Sequence, residues 1–342
     1  MKSKTLFVVL SCLVVSTLAL SQQRGAGQQQ NFDPPAGVRQ VTVTEIPGVI
    51  AAGAKWTLAW GGANNADGIV GTPDGGVMFA QEQPSQVGKV DKDDHYSILI
   101  KDTHGAGSLS MDSQGRIVAV LRTCTDPGNA GRGISAPCTE PTAVALLTPA
   151  RKILADSFEG KTFGRPNDLV AAKNGNVYFN SGGTYRVSPD GKVTLIGKDL
   201  RTNGIMLSPD EKTLYVTNGP VVVAFDVQPD GSVKNLRDFG KLEAGGNGDG
   251  MAVDSTGRLY VTSQAKGIQV FSPEGKYLGV IPTPRDVASI AFSGPDKKTL
   301  YVTSAGAIIA GKEFQTAEGV RNNAKSIFKI PVLAMGFKGR AK

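Results

Sequence analysis

The chain has little of what nucleophilic catalysis and zinc binding most often use. Its 342 residues include only two histidines and three cysteines. Both histidines, His95 and His104, fall in one short region, and no Gly-x-Ser-x-Gly sequence is present. A serine nucleophile activated by histidine therefore has little support. We expect His95 and His104 to be solvated loop or turn residues.

The N-terminus carries the pattern of an export signal. Two lysines, Lys2 and Lys4, precede an apolar run at 6–20, and small residues precede Gln22. This pattern predicts a signal peptide over 1–21, removed on export to the periplasm or the extracellular space. A signal anchor is the alternative, but the run is short for a membrane span of about 20 residues. Residues 22–40 are rich in Gln, Gly and Pro and predict a disordered leader.

The few cysteines suggest one covalent link. Cys12 lies inside the predicted signal, which leaves Cys124 and Cys138 in a stretch rich in Gly and Pro. In an exported chain such a pair can form a lasting disulfide, and we expect that bond. The alternative is two free thiols in a loop.

The chain also lacks a concentrated charge of one sign. Its formal net charge is +7, and loss of Lys2 and Lys4 with the signal would leave +5. The basic residues are scattered, without a basic run or interleaved aromatic residues, so we expect no nucleic-acid partner. After removal of the signal we expect no membrane attachment either.

What the chain has in abundance is glycine, 43 residues, and an internal repeat. Each copy is a short apolar strand, a turn of Pro, Asp, Gly or Asn, and a second strand. The aligned second strands begin at Val77, Ile117, Val177, Leu214, Leu259 and Leu300. Their spacings are 40, 60, 37, 45 and 41 residues, close to the period of about 40 to 50 for a four-stranded propeller blade. The sequence predicts an all-β, six-bladed β-propeller over 41–342.

Two details of that propeller follow from the spacing. The long interval of 60 residues contains 122–141 with both remaining cysteines, so we expect an inserted loop there, either a lid over a pocket or a plain surface loop. Because a closed propeller leaves no long exposed edge, we expect the early segment 41–44 to pair with 326–330 and close the ring.

One position of the repeat is rich in side-chain oxygens. Two residues before the first apolar residue of each inner strand stand Asp67, Gly107, Asn167, Asn203, Asp249 and Ala288. Since inner strands surround the channel of a propeller, these residues should converge on its axis. Two carboxylates and two amides there predict one divalent metal ion, with Ca²⁺ favoured over Mg²⁺. Gly107 and Ala288 would leave room for waters or substrate. The alternative is that Asn and Asp are turn residues.

Several motifs resemble those of one known family. They are Phe-Glu-Gly-Lys at 158–161, Arg-Pro-Asn-Asp-Leu-Val at 165–170, Thr-Asn-Gly-Ile at 202–205, Gly-Asp-Gly-Met-Ala-Val-Asp at 248–254 and the segment 294–303. From about residue 62 to 336 the chain resembles the gluconolactonase/regucalcin (senescence marker protein) family. That resemblance implies a six-bladed propeller with one axial divalent metal and activity on lactones, or in some relatives on organophosphorus esters.

The resemblance also assigns roles to residues. It places metal ligands at Asn167, Asn203 and Asp249 and a substrate-contacting arginine at Arg165. It implies that the family's first ligand, usually Glu before Gly-Pro, corresponds to Asp67, whose side chain is one methylene shorter. Asn64 or Asn65 could compensate for that shorter reach.

These observations lead to one expected function and two alternatives. We expect the metal to activate water for opening a small lactone, such as a sugar lactone. Asp249 would be both ligand and general base, a dual role that rests on the resemblance, while Arg165 and Asn167 orient the substrate. The alternatives are a non-catalytic ligand-binding propeller clamped by the metal, and hydrolysis of an organophosphorus ester at the same site.

Overall fold

Six four-stranded antiparallel sheets make up most of the chain. The computed structural model describes residues 38–62, 65–82, 84–122, 141–309, 312–314 and 325–339. The predicted signal peptide, most of the predicted leader, and Cys124 and Cys138 with their loop lie outside the described residues. Within the described ranges no helix is long and apolar enough to cross a bilayer. The predicted all-β, six-bladed propeller is confirmed.

Each blade runs from an inner strand at the channel to an outer strand at the surface. The first strand, β1 (Thr57–Gly62), belongs to the last blade, and blade 1 consists of β2 (Ile69–Gly71), β3 (Val77–Gln81), β4 (Gln86–Val90) and β5 (Tyr96–Lys101). Blade 2 consists of β6 (Ala106–Met111), β7 (Ile117–Leu121), β8 (Ala143–Leu146) and β9 (Lys152–Ala155), and a two-stranded ribbon of β10 (Ser157–Phe158) and β11 (Lys161–Thr162) follows it. Blade 3 consists of β12 (Leu169–Ala171), β13 (Val177–Asn180), β14 (Thr184–Val187) and β15 (Val193–Gly197).

The second half repeats the pattern. Blade 4 consists of β16 (Ile205–Leu207), β17 (Thr213–Asn218), β18 (Val221–Val227) and β19 (Val233–Lys241). Blade 5 consists of β20 (Met251–Val253), β21 (Leu259–Thr262), β22 (Ile268–Phe271) and β23 (Tyr277–Ile281). Blade 6 contains β24 (Val287–Ser293), β25 (Thr299–Ala305) and, after a two-stranded ribbon of β26 (Ala307–Ile309) and β27 (Lys312–Phe314), β28 (Lys325–Pro331).

Burial explains why the strands differ along a blade. Inner strands such as β12 and β20 are three residues long and fully buried, and therefore read as continuous apolar runs. The outer strand β19 is mostly exposed and carries polar residues. The turn between the first two strands of blade 1 requires φ of +88° at Gly75, whose N–H donates to Thr72 O at 3.0 Å. Glycine adopts that conformation without strain, which is why the turn signal recurs in the repeat.

The ring of inner strands is closed. Each inner strand contacts the inner strands of both neighbouring blades, and β24 contacts β2. Blade 6 joins the chain ends, since its order from the outside is β1, β28, β25, β24. The expectation that residues 41–44 pair with 326–330 is wrong. The partner of β28 is β1, with Leu58 opposite Phe328 and Trp60 opposite Ile327.

The reason for this difference is packing. Residues 41–44 form no strand, and Val43 is instead buried in an apolar cluster with side chains of blades 5 and 6, including Tyr260 and Phe292. Trp60 of β1 packs against Phe79 of blade 1 at a ring distance of 5.0 Å. Closure therefore uses the segment that can also cover the neighbouring blade. Upstream of β1, Arg39 forms an ion pair with Asp286 at 2.7 Å, so the described end of the predicted leader contacts the propeller.

Four tyrosines that recur at one position of the repeat are packing residues. Tyr178, Tyr215, Tyr260 and Tyr301 occupy the same position of their second strands, and each is at most 4% exposed. The Tyr178 hydroxyl donates to Gly231 O of blade 4 at 2.7 Å. Burial raises the pKa of Tyr178 to about 12. This hydroxyl therefore stays protonated and joins blade 3 to blade 4.

We expect Tyr178→Phe to lower the free energy of unfolding by about 1 kcal/mol, because it leaves the buried Gly231 carbonyl without its donor. Urea unfolding measures the change. The matched control is Tyr277→Phe on the half-buried outer strand β23, where water can replace a lost partner and the loss should be smaller. Equal losses in the two variants would contradict the assignment of Tyr178 as an interblade link.

Candidate active site

The residues predicted to surround the channel, here called the column, lie near the start of the inner strands: Asp67, Asn167, Asn203 and Asp249 just before a strand, and Gly107 and Ala288 just inside one. The backbone N–H groups of Asp67, Asn167 and Asp249 donate to Ala80 O, Asn180 O and Thr262 O at 3.0, 2.7 and 2.9 Å. In each case the acceptor lies near the end of the second strand of the same blade. The three residues are therefore held in equivalent places around the channel.

Contacts between blades bring the column together around the axis. Gly68 N–H donates to Gly107 O at 3.2 Å, and Gly250 N–H donates to Ala288 O at 2.9 Å. The side-chain nitrogen Nδ2 of Asn167 bonds Asn203 Oδ1. A Cβ at Gly204 would lie 1.9 Å from Asp249 O, so only glycine lets blades 4 and 5 approach this closely. Asp67, Asn167, Asn203 and Asp249 are all half-buried at this mouth of the channel.

The guanidinium of Arg122 lies in the middle of this group. Nη1 donates to Asp67 Oδ2 at 2.5 Å, Nε to Pro166 O at 2.9 Å, and Nη2 to Asn167 Oδ1 at 2.9 Å. Nη2 also donates to the backbone oxygen of Asn167. The Arg122 side chain is 3% exposed. Two of the four predicted metal ligands are thus bonded to a cation of the protein.

Gly107 makes room for Arg122. A Cβ at Gly107 would lie 2.0 Å from Arg122 Nε. The pairing of β6 with β7 shifts between Ala106 and Ser108, which leaves Gly107 as the extra residue of a bulge. The expectation that Gly107 leaves space for water or substrate needs correction, because the arginine fills that space.

A buried glutamate connects Arg122 to Arg165. The Glu82 side chain is fully buried, and its two oxygens accept from Arg165 Nη1 and Nη2 at 2.6 and 2.7 Å. Glu82 Oε2 lies 3.5 Å from Arg122 Nη1. Arg165, expected to orient substrate, is therefore itself oriented by Glu82, with 26% of its side chain exposed beside the site.

The side chain of Asp168 forms bonds with several inner strands. Its Oδ1 accepts from Ser108 Oγ at 2.6 Å and from Leu169 N–H at 2.9 Å, and its Oδ2 lies 3.4 Å from Ile205 N. This buried carboxylate therefore ties together the inner strands of blades 2, 3 and 4. Asp168, one residue after Asn167, therefore helps to hold the column in position.

The surroundings of Asp249 disfavour its ionised form. Burial opposes ionisation of Asp67, but the charge and hydrogen bond of Arg122 outweigh it and lower the pKa of Asp67. Burial, followed by repulsion from Asp67 and Asp168, raises the pKa of Asp249 to about 8. Arg122 and Lys325 act against this rise without cancelling it. The carboxyl of Asp249 thus differs from that of Asp67, which Arg122 keeps ionised.

The donor set fits a hard divalent cation in its chemistry. Carboxylate and amide oxygens are the ligands that Ca²⁺ takes in proteins, and a bound cation would stabilise the ionised form of Asp249. Among the described residues no three His, Cys, Asp or Glu side chains form a metal cluster, so a site here depends on Asn167 and Asn203. Asp67 and Asn167 would have to be released by Arg122 before they could act as ligands.

Glu82 and Arg122 are the site residues that sequence reasoning missed. Both stand five residues after the first residue of the second strand, counted from Val77 and Ile117. The same position in the other blades holds Gly182, Gly219, Gln264 and Ala305. Opposite charges at one repeat position in adjacent blades are the signal that could have found them. His95 and His104 are loop and turn residues, as expected, and His95 contacts Asp91 at 3.3 Å.

A protein-family model described as SMP-30/Gluconolactonase/LRE-like region matches residues 102–306, more than half of the chain. The chain belongs to this family. The resemblance found in the sequence motifs is thereby confirmed. The match includes Arg122, Arg165, Asn167, Asn203 and Asp249. It begins after blade 1, so Asp67, where the motif departs from the family pattern, lies outside it.

Individual members of the SMP-30/gluconolactonase family are similar over part or all of the propeller. A gluconolactonase of Zymomonas mobilis is 34% identical over 194 residues, which are 48% of this chain and 54% of that protein. The chain thus spans about half the length of the curated relatives it matches.

Solved structures agree in fold. A gluconolactonase of Xanthomonas campestris has 21% identity and a TM-score of 0.67, covering 88% of this chain and 98% of that one. The regucalcin of Agrobacterium tumefaciens, described as a calcium-binding protein, has 16% identity and a TM-score of 0.58, with 87% and 95% covered.

Proposed function

We propose that the chain hydrolyses a small lactone, of the sugar-lactone class, at the channel mouth. The observation that carries the proposal is the convergence of Asp249, Asn203 and Asn167 at one end of the channel, with Arg165 beside them. Similarity to proteins named gluconolactonase supports it. Export, expected from residues 1–21, belongs to the same proposal and would place the substrate in the periplasm or outside the cell.

The chemistry assigns each side chain a task. Asp249 accepts a proton from water as the water oxygen attacks the lactone carbonyl carbon. The ring C–O bond then breaks, the leaving oxygen takes up the proton held by Asp249, and a hydroxy acid is released. The amide of Asn167 and the guanidinium of Arg165, which Glu82 holds in place, orient the polar substrate. A divalent ion, most simply Ca²⁺, would be held by Asp67, Asn167, Asn203 and Asp249 and would supply Lewis-acid polarisation of the carbonyl.

One observation favours a second candidate. Because Arg122 occupies the acceptors of Asp67 and Asn167, the channel mouth has a cation and bound partners even without a metal. A non-catalytic, ligand-binding propeller would need only this arrangement of Arg122, Asp67 and Asn167. Hydrolysis of an organophosphorus ester at the same residues is the other alternative, and the substrate panel below separates the three.

The test is proton release from a panel of aldonolactones and one phosphotriester, first with the chain as purified and then with chelator or added CaCl₂. We expect opening of at least one aldonolactone above the spontaneous rate, with a rate that falls in chelator. Turnover of the phosphotriester alone would support the organophosphorus alternative. Binding of a lactone without turnover of any compound would support the ligand-binding propeller and contradict hydrolysis.

A further inference from the structure

We propose that Arg122 is a built-in cation of the channel mouth and competes with a divalent metal ion for Asp67 and Asn167. The guanidinium and the metal would be alternative occupants of one set of oxygens. The inference rests on the proposed function only in taking this mouth as the cation site, and it does not depend on which reaction takes place there.

The contacts of Arg122 are those of a built site. Its three nitrogens face five oxygens: Pro166 O, Asp67 Oδ2, Glu82 Oε2, and both the backbone and side-chain oxygens of Asn167. A guanidinium has five N–H donors, so each N–H group can point to a different one of these five oxygens. Asp67 and Glu82 supply the opposing charge, and they and Arg122 are joined across blades 1 and 2.

The backbone is shaped for this side chain. Gly107 occupies the column position of blade 2, where four other blades carry a side-chain oxygen. The bulge at Gly107 and the absence of a Cβ leave the space that Arg122 Nε, Cδ and Cζ fill. Blade 2 thus contributes a cation to the ring where a neutral or anionic ligand would otherwise stand.

Competition follows from charge and from shared acceptors. A divalent ion bound to Asp67 and Asn167 would have the guanidinium within bonding distance of the same oxygens, and like charges that close repel strongly. Arg122 must therefore leave for the ion to take both ligands. The apparent affinity for the ion is reduced by the fraction of molecules in which the arginine is in place.

The main experiment compares the full chain with Arg122→Met, using CaCl₂ alone as the probe. We expect calorimetric titration to show at least about tenfold tighter Ca²⁺ binding in the variant, since the competing cation is gone. The melting temperature of the unmodified chain should rise only slightly from chelator to CaCl₂, because Arg122 weakens binding of the ion. That of Arg122→Met should be lower in chelator and should rise with CaCl₂, because an ion that binds the folded state stabilises it.

The matched control is Arg116→Met. Arg116 precedes the same strand, β7, that Arg122 follows, and it pairs with Asp112 at 2.7 Å away from the channel mouth. The Ca²⁺ affinity of the Arg116→Met variant should equal that of the unmodified chain. Tighter binding in Arg116→Met as well would overturn the proposal, because the effect would then reflect overall charge.

A second variant keeps the arginine and removes its space. The Cβ of Gly107→Ala would lie within 2.3 Å of Arg122 Nε, Cδ and Cζ, so Arg122 must move. We expect this variant also to bind Ca²⁺ more tightly than the unmodified chain. If Arg122→Met fails to fold, Gly107→Ala alone tests whether Arg122 competes with Ca²⁺. Unchanged Ca²⁺ affinity in Gly107→Ala, or Ca²⁺ binding by the unmodified chain as tight as by Arg122→Met, would overturn the proposal. Neither result depends on lactone turnover, so each is distinguishable from failure of the proposed function.

Discussion

Asp249→Asn should lower kcat for lactone opening by about a thousandfold, within the usual range for loss of a general base. The expected cause is that the amide cannot take the proton of the attacking water. The structure favours this residue for the role because Asp249 lies in the column, while the carboxylate of Asp67 is bonded to Arg122 and that of Glu82 to Arg165. Steady-state kinetics on the best lactone of the panel measures the effect.

The fold of Asp249→Asn should be intact. Asparagine has nearly the same shape, and the substitution removes a carboxyl whose ionised form is disfavoured by burial and by the neighbouring Asp67 and Asp168. The melting temperature in chelator should therefore be no lower than that of the unmodified chain. Asp93→Asn, at an exposed aspartate paired with Lys92, is the control and should retain full activity. Turnover by Asp249→Asn at the normal rate would exclude Asp249 as the base.

Glu82→Ala should lower the free energy of unfolding by about 3–5 kcal/mol, the usual cost of removing one partner from a buried ion pair. The reason is that Glu82 is fully buried and faces two guanidiniums, those of Arg165 and Arg122. Without it the Arg122 charge, 3% exposed, keeps Asp67 as its bonded carboxylate partner at 2.5 Å. Urea denaturation measures the loss.

Two further variants interpret that result. Glu82→Gln keeps the shape and one acceptor and should be less destabilising than Glu82→Ala. Glu274→Ala removes an exposed glutamate bonded to Ser272 and should leave the unfolding transition unchanged. If Glu82→Ala were as stable as Glu274→Ala, the pairing of Glu82 with Arg165 and Arg122 would contribute nothing to the folded state.

Much of the fold could be predicted because its information is local. Each inner hairpin is a short apolar run, a turn with glycine and a second apolar run, and every one of these features lies within about a dozen residues. Repetition of the unit six times determined the propeller, and its register selected Asp67, Asn167, Asn203 and Asp249 as residues around the channel. The same periodicity placed Tyr178 and its equivalents in the core, since their position in the strand fixes which face they occupy.

The tertiary structure decided what depends on contacts between distant parts of the chain. Residues 41–44 and 57–62 are both plausible closing strands by their alternation, and packing of Trp60 on Phe79 and burial of Val43 elsewhere distinguish them. Arg122 meets Asp67 across 55 residues, and Arg165 meets Glu82 across 83. A charged residue after a strand gives no local sign of its partner, because the pairing arises only when adjacent blades close around one axis. The sequence alone therefore determined the propeller and its ring of oxygens, while the folded ring decided that a guanidinium stands among them.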